Sequence, residues 1–120
     1  ALLAYLVLSP RPVRRERLCS LLWDVTDDPR GALRWSLSKL RPLVDDRGNA
    51  RLVADRDTVA FAPAGARVDV AELRAELARG AGGLPAGRLA ALAREFRGEF
   101  LEGLELPGFL EFQAWCVAQR

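Results

Sequence analysis

Between Leu40 and Arg51 the spacing of apolar side chains changes from helical to alternating, and few small folds accommodate that switch. Ahead of it, Leu33, Leu37 and Leu40 fall on one face of a helix running from about Arg30 to Val44. Asp28-Pro29 supplies the start signal, with Asp as cap and Pro in the first turn. Pro42 removes one amide near the far end, which predicts a distorted last turn. After the polar turn "DDRGN", the segments "RLVA" and "TVAFA" flank Asp55-Arg56-Asp57, the pattern of a short β-hairpin with a charged tip. The leucine stripe turns Arg34, Trp35, Ser38 and Lys39 toward solvent, and an outward tryptophan among cations calls for a reason.

Two more helices precede this one. Residues 1–8 are apolar and end at Ser9-Pro10-Arg11-Pro12. Residues 14–22 set Leu18, Leu21 and Leu22 on one face, away from Arg14, Arg15 and Arg17. Three helices followed by a hairpin is the order of a winged helix-turn-helix, a mainly α arrangement whose third helix enters the major groove while the hairpin lies along the backbone. Arg34, Trp35, Ser38, Lys39 and Arg41 then form the recognition face. The competing reading of Arg34 and Lys39 is a solvated face paired with Asp27 or Asp28. For Trp35 the alternatives are a sugar or thymine methyl, the hairpin–helix interface, or the core. Arg14 and Arg15 open a helix where free amides favour a phosphate, or serve only solubility. Arg56 sits at the tip, placed for a backbone or minor-groove contact.

Charge is unevenly distributed. Residues 1–44 carry eight Lys or Arg against four acids, residues 45–67 four of each, and residues 68–120 six Arg against eight acids. A basic first part suits a polyanion, here double-stranded DNA. The chain has no histidine, which excludes Ser-His and Cys-His nucleophile pairs. Cys19 and Cys116 make neither a disulfide framework nor a zinc motif and read as small core residues. With no phosphate loop or catalytic pair, the expectation is a protein that is not an enzyme and takes no cofactor or metal. Glu99, Glu102, Glu105 and Glu111 read as a solvated or polymerase-facing surface. No apolar run approaches the ~18–20 residues that cross a bilayer, and the apolar start lacks a basic lead, so a cytoplasmic location is expected.

In the second part, Asp69 and Glu72 are spaced as a capping box opening a helix to about Arg79, with Val70, Leu73 and Leu77 inward. "GAGGLPAG" is a connector, residues 86–96 repeat the amphipathic pattern through Leu89, Leu92 and Phe96, and a last helix starts at Phe109. Its apolar Trp115, Cys116 and Val117 predict a partner in sequence beyond Arg120.

"LLAYLVLSPRPVRRERLCSLLW" and "DPRGALRWSLSKLRPLV" resemble the winged-helix DNA-binding domain of actinobacterial antibiotic-regulatory-type transcriptional regulators. "VDVAELRAEL" and "FRGEFLEGLELPGFLEFQAWCVAQR" resemble the opening of the bacterial transcriptional activator domain, an all-helical tetratricopeptide-like (TPR-like) module. The resemblance implies an OmpR-like DNA-binding domain over 1–67 and the N-terminal part of the activator domain over 68–120. It further implies transcription regulation, homodimers on direct repeats and contact with RNA polymerase. The recognition role falls on Arg34, Trp35, Ser38, Lys39 and Arg41, and the wing role on Arg51 and Arg56. The sequence departs from the family in starting at the first helix without the preceding strands and in having Arg14 where a Ser or Thr cap is common. Asp55 and Asp57 flank the wing arginine, and Pro42 stands where relatives carry arginine. These departures frame the alternative, a degenerate winged helix that serves protein interaction or dimerisation without DNA binding.

Overall fold

The computed structural model describes residues 1–120, apart from the side chain of Ala81. It is mainly helical, with a small antiparallel sheet. In chain order the elements are α1 (Leu2–Leu8), β1 (Val13–Arg14), α2 (Arg15–Trp23), α3 (Pro29–Val44), β2 (Leu52–Ala54), β3 (Thr58–Phe61), α4 (Asp69–Ala78), α5 (Ala86–Glu95) and α6 (Leu110–Gln119). Among the described residues, no helix is long and apolar enough to cross a membrane.

Each boundary has a local cause. At the end of α1, the Ser9 hydroxyl donates to the Tyr5 carbonyl at 2.6 Å, and two prolines follow. At the start of α3, Asp28 Oδ1 accepts from the Gly31 amide at 2.9 Å, with Pro29 in the first turn. The last turn of α3 is not broken by Pro42: the helix continues to Val44, and the Asp45 amide reaches the Arg41 carbonyl at 2.8 Å. Pro42 and Ser38 both lie on the exposed side, where solvent can serve the carbonyl that the missing amide leaves free. The expected capping box does not form. Val68 is the N-cap residue, Asp69 accepts only from the adjacent Val70 amide, and Glu72 is drawn to Arg67 at 2.8 Å.

The sheet has the order β1-β3-β2. The hairpin pairs Leu52 with Phe61, Val53 with Ala60 and Ala54 with Val59, while β1 adds Val13 opposite Val59 and Arg14 opposite Thr58. This alternation sends Leu52 and Val59 into the core, where they are 1% and 0% exposed.

That core joins Leu2 and Leu6 of α1, Leu18, Cys19, Leu21 and Leu22 of α2, and Leu33 and Leu37 of α3 with Phe112 and Cys116 of α6. The hydrophobic cluster therefore draws on both sides of residue 67. Trp115 lies 4.9 Å from the Tyr5 ring, and Arg17 of α2 pairs with Glu111 of α6. The apolar face of α6 thus finds α1 and α2 within the chain, contrary to the partner expected beyond Arg120. Val117 stays outside, exposed. Burial pushes the Cys19 and Cys116 thiols above the usual range, as befits core side chains. Helices α4 and α5 are more lightly held. Val70 and Leu73 are half-buried, Leu77, Leu89 and Phe96 are exposed, and only Leu92 is fully buried among the described residues of the two.

Candidate nucleic-acid interface

The exposed side of α3 is built by its own period. Leu33 and Leu37 point inward, at 0% and 3% exposure, so residues 34, 35, 38, 39 and 41 are forced outward. Arg34, Ser38 and Arg41 follow one another at helical spacing, and Trp35 and Lys39 form the adjacent row. Trp35 is 64% exposed, and the Lys39 ammonium lies 5.6 Å from its ring centroid, a cation–π distance. The Ser38 hydroxyl donates back to the Trp35 carbonyl at 2.6 Å. Of the alternatives for Trp35, the core and a covered hairpin–helix interface do not describe a side chain this exposed.

Beside the N-terminal half of α3, the start of α2 and the hairpin tip close around two small adjoining clefts of about 280 and 330 Å³. Arg15, Arg30 and Arg56 line both; Arg34 lines one and Arg14 the other. Five arginines from β1, α2, α3 and the hairpin tip thus line these adjoining clefts. Three carboxylate residues, Glu16, Asp55 and Asp57, share these walls, and Glu16 pairs with Arg30 at 3.2 Å.

The hairpin tip is held in two ways. The Asp55 amide donates to the Thr58 carbonyl at 3.0 Å, while the Asp55 carboxylate accepts from the amides of Thr58 and Asp57 at 2.7 and 2.8 Å and from the Thr58 hydroxyl at 3.1 Å. Those bonds, the Thr58 amide foremost, hold the Asp55 carboxyl below the usual carboxylate range. From the other side, the Arg15 amide donates to the Asp57 carbonyl at 2.8 Å, and Arg15 Nε donates to the Asp55 carbonyl at 2.9 Å. Asp55, the sequence neighbour of Arg56, uses its carboxylate to fold the turn that leaves Arg56 exposed.

Arg51 is placed differently from the other arginines. Its guanidinium donates to the carbonyls of Pro63, Val44 and Ala64 at 2.9, 2.8 and 3.3 Å, and its side chain is 16% exposed. It ties the end of α3 to the segment after β3, away from the hairpin tip, and so is occupied in a structural role rather than offered on the wing. Arg41 is exposed at the C-terminal end of α3, outside the two clefts. Arg30 was not among the site residues read from sequence. Its signal was available in its position one helical turn before Arg34, at the first turn of the same helix.

The chain matches no family model, and the searches of curated proteins and of solved structures found no significant match.

Proposed function

We propose that this chain is the DNA-binding part of a cytoplasmic transcriptional regulator, a winged helix-turn-helix that binds double-stranded DNA and performs no chemistry. In this reading α3 lies in the major groove, Arg34, Trp35, Ser38, Lys39 and Arg41 face the bases, and Arg56 reaches the flanking backbone from the β2–β3 wing. Arg14, Arg15 and Arg30 take phosphates beside the start of α2. The observation that carries the proposal is the gathering of Arg14, Arg15, Arg30, Arg34 and Arg56, from β1, α2, α3 and the hairpin tip, around adjoining clefts to one side of the exposed α3 face. Arginine forks suit phosphate oxygens and guanine edges alike.

Helices α4–α6 are read as the opening of a TPR-like activator module, with RNA polymerase and a second copy on a direct repeat as partners. The second reading, an interaction module without DNA binding, is favoured by Leu43 and Val53, which are 79% and 52% exposed. A variant carrying Arg34→Ala, Lys39→Ala and Arg56→Ala tests the choice, since all three side chains are exposed and outside the core. Measured by anisotropy on duplex DNA at low salt, the wild type is expected to bind and the variant to lose most of its affinity. Equal binding by both would remove this face from the interface.

A further inference from the structure

Two large apolar side chains stand exposed on α3: Leu43 in its last turn, and Trp35 in the middle of the outward face among charged neighbours. Trp35 is 64% exposed, and the Lys39 ammonium lies 5.6 Å from its ring centroid. A large apolar surface left in water gains most from an apolar target. In the major groove the largest apolar group on the base edges is the C5 methyl of thymine; the features that otherwise tell the bases apart are hydrogen-bond donors and acceptors.

Position favours that target over the sugar-phosphate backbone. Trp35 lies in the second turn of α3, in the middle of the outward face between Arg34 and Lys39. The arginines that suit phosphates stand to one side, by α2 and the hairpin tip. A helix seated in the groove turns the middle of its outward face to the base edges. Lys39 covers part of the indole and leaves the rest free for contact.

We propose that Trp35 is a specificity-determining residue that reads the C5 methyl of a thymine; this rests on the DNA-binding function proposed above. The consequence is a preference for thymine over deoxyuridine, which differs only in lacking that methyl and keeps the same base pair.

The experiment selects a preferred duplex from a random pool with the 120-residue chain, then replaces its thymines with deoxyuridine one at a time. One position in the site of each bound copy is expected to lose about fourfold in affinity, the equivalent of ~0.8 kcal/mol for one buried carbon group. Trp35→Ala is expected to bind the thymine and deoxyuridine duplexes alike, and Trp35→Phe to keep part of the difference. Lys39→Ala is expected to bind more weakly overall and still prefer thymine. Circular dichroism checks that each variant is folded, which the exposure of both side chains favours. A selected site without thymine, indifference of the wild type to deoxyuridine, or a difference that persists in Trp35→Ala would each overturn the assignment. A folded chain that binds no duplex at all overturns the DNA-binding function itself, so the two failures are distinguishable.

Discussion

Asp55 and Arg51 are charged residues of the hairpin region whose roles are settled by the groups around them. Three donors converge on the Asp55 carboxylate and lower its pKa from the ordinary 3.8. A lowered folded-state value means that the carboxylate's contribution to the turn is complete above the unfolded range, about 3.9, and is lost as pH falls through the folded value. An NMR titration of the Asp55 carboxyl should therefore have its midpoint below 3.8; a midpoint at or above it would contradict the turn as described. Arg51→Ala should destabilise the fold by about 2 kcal/mol, because charged hydrogen bonds to the Val44, Pro63 and Ala64 carbonyls are lost, while the salt dependence of DNA binding stays unchanged. A reduced salt slope with unchanged stability would return Arg51 to the wing surface. For Arg34→Ala the expected loss is ~1–3 kcal/mol on the preferred sequence and less on others. An equal loss on all sequences would make Arg34 a phosphate contact. The sequence announces which residues are charged. It does not announce that Asp55 folds a turn or that Arg51 bridges carbonyls, because those partners are brought in by β3 and the segment after it.

At the scale of elements, legibility follows how local the cause is. Helix α3 could be read closely because its cap, proline and leucine period all lie within it. The strand β1 could not: two residues after a proline have no period, and they become a strand only by pairing with β3. The Asp69–Glu72 box failed for a related reason, since Arg67 competes for Glu72. Asp28 is the cap that does form, and Asp28→Ala should cost ~1 kcal/mol in denaturant unfolding. Gly31→Ala should destabilise the same turn, because an added Cβ would press on the capping carboxylate. If neither substitution altered stability, the cap would be irrelevant to α3.

The molecule as a whole is organised by a core that crosses the boundary a sequence reading sets at residue 67. Phe112 is 1% exposed and joins the cluster formed by α1, α2 and α3. Phe112→Ala should cost ~3–5 kcal/mol and lower the stability of α2 and α3, as seen by hydrogen exchange in both. Unchanged protection there would show that α6 only rests on them. Conversely, amides of α4 and α5 should exchange faster than those of α2 and α3, since α4 buries no side chain fully among its described residues. The final helix was legible as apolar, but its partner was not, because helical periodicity identifies a face without saying what covers it.

The proposed DNA interface joins these scales, and the salt dependence of duplex binding tests it most directly. Arg14, Arg15, Arg30, Arg34, Lys39, Arg41 and Arg56 are the cations on or beside this face. If each neutralises a phosphate or displaces its counterion, the logarithm of the affinity for a random-sequence duplex should fall linearly with the logarithm of salt concentration, with a slope of about −6. Lys39→Ala should reduce that slope by about one. A folded chain whose binding is absent at low salt, or indifferent to salt, would contradict the account and leave the exposed face of α3 to a protein partner.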